Sequence, residues 1–227
     1  MTNDVPVEPE EPDDPPPPAE VLVIMPLGDS MTNDPRPRVK LWNLLTDDNH
    51  SLNYVGDQYQ ESSIPDPYHE GVGGIKIQGI NIKTKALMEK HKPKYVALMV
   101  GTNDIAWYFD ETAQQIADRW NDLIGLIIDS SESGTYIIAA TIPPVTPKIV
   151  GMESLANRDR AVLVQQFNAA LRTHISDRIS DGDLIILADM EAALNRNIHL
   201  ADDGVHLNET GYDIMGKMYY DAIKKAL

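Results

Sequence analysis

A serine hydroxyl becomes a useful nucleophile only when a neighbouring base takes its proton, and this chain carries a serine, a histidine and an aspartate that suit the task. Ser30 lies in Leu27-Gly28-Asp29-Ser30-Met31-Thr32, directly after a short apolar run. A glycine before a serine at a strand-to-helix turn lets the chain reverse sharply and presents the hydroxyl at a helix N-terminus. Backbone N–H groups and the helix dipole there favour a developing oxyanion. Taken alone, the same residues suit a helix cap made by Asp29 or Ser30. His206 lies in Asp202-Asp203-Gly204-Val205-His206, near the C-terminus. Imidazole serves as a proton acceptor near neutral pH. Asp203, three residues earlier across a glycine-containing turn, can hydrogen-bond the far ring nitrogen, fix its tautomer and stabilise imidazolium. An exposed turn is the plain alternative. Pairing His199 with His206 on a metal lacks a third ligand at diagnostic spacing, so no metal is expected.

Acyl transfer also needs donors for the oxyanion, and two segments offer them. Gly101-Thr102-Asn103-Asp104 follows another apolar run, and the Asn103 amide can project into the same crevice. His69-Glu70-Gly71-Val72-Gly73-Gly74 offers a backbone N–H at a position without a Cβ, where a ligand can approach closely. It lacks the Lys and Ser/Thr of a phosphate-binding loop. Either segment by itself also reads as a turn. Trp107, Tyr108 and Phe109 follow, and either line an acyl or sugar subsite or pack a helix start, with packing slightly favoured.

These segments fall where a parallel sheet would gather them. Short apolar runs at 21–25, 52–55, 95–100, 135–141 and 184–188 suit strands buried on both faces. Ile116, Trp120, Leu123 and Ile127 recur at helical spacing, as do Leu163, Phe167, Leu171 and Ile175, and a last helix is expected over about 208–226. The pattern predicts a three-layer α/β/α sandwich around a five-stranded parallel sheet, in the flavodoxin-like order 2-1-3-4-5. In such sheets ligands bind beyond the carboxyl ends of the strands.

The ordered set of Ser30, Gly74, Asn103 and His206 resembles the SGNH/GDSL hydrolases over residues 21–227. A narrower likeness is to carbohydrate esterase family 3, the acetyl xylan esterases. It rests on MPLGDSMT (25–32), RVKLWNLL (38–45), LNYVGD (52–57), HEGVGG (69–74), GTNDI (101–105), TIPP (141–144), LADM (187–190) and DGVHLNETGYDIMGKMYYDAI (203–223). The resemblance implies a secreted serine esterase acting on acetylated hemicellulose sugars without a cofactor. It makes Ser30, Asp203 and His206 catalytic, and gives the oxyanion to Ser30, Gly74 and Asn103. Asp29, Arg38, His69 and Trp107 are expected at the substrate. Arg38 matches the family's arginine and either holds the adjoining loop through an ion pair or lies free on the surface. The chain departs from the family at Val72, Gly73 and Ile75, where HEGHSGW is usual, and at Asn33-Asp34-Pro35-Arg36-Pro37.

Composition bounds the remaining readings. The 227 residues suffice for one well-buried domain. A net charge of −16 disfavours nucleic acid as a partner. No apolar run reaches the roughly 20 residues of a membrane helix, and Met1-Thr2-Asn3-Asp4 has no signal-peptide character. Cysteine is absent, which excludes thiol chemistry. Residues 1–20 hold seven acidic residues and seven prolines, and read as an extended linker to a further module or anchor, or as a disordered tail. The expected substrate is a small ester or an acetylated polysaccharide. A broad short-chain esterase, lysophospholipase or thioesterase is the enzymatic alternative. A non-catalytic carbohydrate-binding module is the other.

Overall fold

The five apolar runs all become strands of one sheet. The structure is a computed structural model, which describes residues 20–107, 111–147 and 159–227. The expected linker, apart from Glu20, lies outside the described residues, as do Tyr108 and Phe109. In chain order the strands are β1 (Leu22–Gly28), β2 (Leu52–Tyr54), β3 (Gln58–Tyr59), β4 (Tyr68–Gly71), β5 (Tyr95–Met99), β6 (Tyr136–Ala140) and β7 (Ile185–Ala188). β1 is central: β2 and β4 pair in parallel along one edge and β5 along the other, followed by β6 and β7. The five expected strands therefore stand in the expected 2-1-3-4-5 order.

Two short strands extend that sheet. β3 pairs antiparallel with β4, with Gln58 opposite His69 and Tyr59 opposite Tyr68. Their residues are largely polar, and Pro65 and Pro67 interrupt the segment between them, so no apolar run announces them.

Helices cover both faces, as the complete burial of β5 requires. α2 (Pro35–Asp47) packs on α8 (Glu209–Ile223), while α3 (Ile77–His91), α5 (Ala113–Ser130) and α6 (Arg160–Ser180) form a second layer. α5 buries Ile116, Trp120, Leu123 and Ile127 along one stripe, and a Thr112–Gln115 capping box starts it. α6 buries Phe167, Leu171 and Ile175. Three short helices, α1 (Ser30–Asn33), α4 (Thr102–Trp107) and α7 (Met190–Ala193), begin at the carboxyl ends of β1, β5 and β7. Among the described residues no helix is long and apolar enough to cross a membrane.

Candidate active site

β1 ends at Gly28, and Asp29 turns the chain into α1 with Ser30 as its first residue. The Asp29 side chain accepts from the Met31 N–H at 3.1 Å, which fixes the turn. On the sheet edge Gly28 pairs with Gly71 on one side and Met99 on the other. The segments after β4 and β5 therefore flank Ser30. The Val72 N–H continues this ladder by donating to the Gly28 carbonyl at 3.0 Å.

His206 comes from the far end of the chain. Its Nε2 lies 2.8 Å from Ser30 Oγ, and its Nδ1 lies 2.6 Å from Asp203 Oδ2. A carboxylate on Nδ1 keeps the proton there, so Nε2 accepts from the serine hydroxyl. The other Asp203 oxygen accepts the Val205 and His206 N–H groups, both at 2.9 Å. Partial burial pushes the Asp203 carboxyl up, but the imidazole and these two N–H groups outweigh it, and its pKa ends below the ordinary value. Gly204 makes the turn possible: its φ is +75°, and a Cβ there would stand 2.2 Å from Thr146 Oγ1. Thr146 in turn donates its N–H to the Gly204 carbonyl at 3.0 Å.

Asn103 donates one amide hydrogen to the Ile75 carbonyl at 3.0 Å, which leaves the second available. Gly74 is exposed with a φ of +75°, a conformation that L side chains rarely adopt. Among the described residues, neither the Ser30 nor the Gly74 N–H meets an acceptor. No group of three or more His, Asp or Glu among the described residues is placed to hold a metal ion.

Residues 27–214 match the GDSL-like Lipase/Acylhydrolase family. The chain belongs to that family. A relative, the multidomain esterase of Ruminococcus flavefaciens, is 26% identical over 180 residues, covering 78% of this chain but only 21% of that protein. The chain thus spans about a fifth of that relative's length. A solved Clostridium thermocellum family 3 carbohydrate esterase superposes with a TM-score of 0.74 at 25% identity, over 91% of this chain and 96% of the other. A family 3 carbohydrate esterase from Talaromyces cellulolyticus gives 0.74 at 22% identity, over 90% and 97%, and shows the shared fold.

Within this GDSL-family fold, three residues expected at the substrate lie beneath the site instead. Asp29 is fully buried, and the loss of solvent pushes its carboxyl up to about 6 despite the Met31 N–H and the nearby His206. Arg38 is buried and, among the described residues, makes no ion pair of the kind expected, nor does it lie free on the surface. Its Nη1 donates to the carbonyls of Thr32, Asn33 and Asp34 at 2.7, 3.2 and 3.4 Å, and its Nη2 to Gln60. Burial brings its pKa down to about 10, so it stays charged at neutral pH. His69 is also buried: its Nδ1 accepts from the Gly71 N–H, and desolvation, then Arg38, hold it neutral with a pKa of about 4. The Trp107 side chain lies outside the described residues.

Other residues frame the site without having been singled out. Asp104, fully buried, accepts from the Ile77 N–H at the start of α3 and from Arg119, tying the Asn103 segment to the Gly74 loop. Asn208 caps α8 through the Gly211 N–H and donates to the Ile198 carbonyl, anchoring the strand-like bridge Leu200–Leu207 beside His206. Asn208 stands before Glu-Thr-Gly and an apolar-periodic stretch, a capping signal readable in sequence. Asn168, on α6, clamps both backbone groups of Ile142 from 26 residues away, and no local pattern announces it.

Proposed function

We propose that the protein is a serine carboxyl-ester hydrolase that removes short acyl groups, acetyl foremost, from carbohydrate esters. The observation that carries this reading is the hydrogen-bonded line from Ser30 Oγ through the His206 ring to Asp203. Membership of an acylhydrolase family supports the ester. The likeness to a family 3 carbohydrate esterase supports a carbohydrate ester, and that to a multidomain esterase supports ester hydrolysis.

In this reading His206 Nε2 takes the Ser30 proton as Oγ attacks the ester carbonyl. The carbonyl oxygen becomes an oxyanion that the Ser30 N–H, the Gly74 N–H and the second Asn103 amide hydrogen receive. Asp203 keeps the ring oriented and stabilises imidazolium without taking its proton. Imidazolium then protonates the departing ester oxygen, which leaves as the sugar hydroxyl, and an acyl-serine remains. Water, deprotonated by the same ring, attacks the acyl-serine and releases the acid. Ser30→Ala should lower hydrolysis of 4-nitrophenyl acetate at least ~10³-fold with an unchanged circular dichroism spectrum. Turnover within tenfold of the parent would remove Ser30 from the mechanism.

A further inference from the structure

On the β6–β7 side of the site lies a cavity of about 660 Å³, within the usual range for small ligands. Its apolar lining includes Pro144, Val145 and Leu194, and its polar lining includes Gln165, Arg196 and Asn197. Two of its walls continue into the segments that hold the Asp203–His206 turn. Val145 precedes Thr146, whose N–H holds the Gly204 carbonyl. Beyond Asn197, His199 accepts the Asn195 N–H on its ring and the Asn208 N–H on its carbonyl.

The chemistry of the walls selects a class of ligand. Arg172, also on the lining, is paired with Asp189 and Glu191. With Arg196 these four charges cancel, and a chain of net charge −16 opposes an anion at long range. Gln165 and Asn197 each present a donor beside an acceptor, the arrangement that matches neighbouring hydroxyl groups. Arg196 adds a planar fork of donors, and it has no partner among the described residues. An apolar floor under a hydrogen-bonding rim suits the C–H face and the hydroxyl edge of a sugar ring.

We infer that this cavity is a saccharide subsite that takes an uncharged sugar unit of the chain whose ester reaches Ser30. The inference rests on the carbohydrate-esterase reading, so its test has an arm that needs no catalysis. The triple variant Gln165→Leu, Arg196→Ala, Asn197→Ala alters exposed side chains only. KM for acetylated xylo-oligosaccharide should rise about tenfold with kcat unchanged, the effect of losing two or three solvent-exposed hydrogen bonds, while 4-nitrophenyl acetate kinetics stay within about twofold. Calorimetric titration of unacetylated xylohexaose into Ser30→Ala should show binding that the added triple substitution weakens by the same factor. An unchanged KM with unchanged binding overturns the subsite, and so do equal losses on both esters or no xylohexaose binding by Ser30→Ala. If the parent hydrolyses neither ester, the esterase reading falls, and the titration alone decides the cavity.

Discussion

Asp29 sits one residue from the proposed nucleophile, yet its carboxyl is sealed from water and held up near 6. A carboxyl raised from 3.8 to about 6 on folding adds stability that is complete below the unfolded value and disappears as pH rises through the folded one. The shift corresponds to about 3 kcal/mol, an upper figure for a buried group. Asp29→Asn keeps an acceptor for the Met31 N–H and carries no charge. Its unfolding free energy should therefore gain on the parent by up to about 3 kcal/mol between pH 3.5 and pH 8. Urea melts at the two pH values check this, and a constant difference would mean that Asp29 stays solvated. Ser30, Asp203 and His206 could be picked from the sequence because Asp203 and His206 stand at hydrogen-bonding spacing and the ordered set with Gly74 and Asn103 resembles a known family. The buried roles of Asp29, Arg38 and His69 could not, since each depends on how the chain closes over it. The helix cap made by Asp29 was readable locally, but the family resemblance had pointed all three toward substrate rather than toward the interior.

At the scale of elements, one buried side chain spans the turn from α1 into α2. Arg38 reaches three consecutive carbonyls, those of Thr32, Asn33 and Asp34, where α1 gives way to α2. Arg38→Met keeps much of the apolar stem and leaves those acceptors without their cation. The loss should be about 2–4 kcal/mol, seen as a fall in Tm, and Arg38→Lys should recover only part of it. A variant as stable as the parent would show that water replaces the guanidinium at no cost. The main strands were legible because buried parallel strands read as unbroken apolar runs. β3 and β4 were not, because two and four largely polar residues around Pro65 and Pro67 form a ladder only once β1 offers its edge.

For the whole molecule, the excess of 35 acidic over 19 basic residues sets the electrostatics. Like charges repel more strongly in the compact state than in the expanded chain, and salt screens that repulsion. Tm should rise as sodium chloride goes from about 10 mM to about 300 mM, where the Debye length falls below 10 Å. A fall would mean that local pairs such as Lys92–Glu132 and Lys217–Asp221 outweigh the net charge. The layered architecture was readable from alternating strand and helix patterns. The cavity beside β6 and β7 was not, because Gln165 and Asn197 come from separate segments that only folding brings together.

The hydrogen bond between Ser30 and His206 joins positions 176 residues apart. On a ribosome the serine emerges first and waits for its base until nearly all of this sequence has been made. α8, which starts three residues after His206, packs back onto α2, which starts five residues after Ser30. Docking of those two helices is then the step that brings hydroxyl and imidazole together. A nascent or carboxyl-terminally clipped chain, on the proposed reading, is chemically silent toward esters however well its sheet has formed.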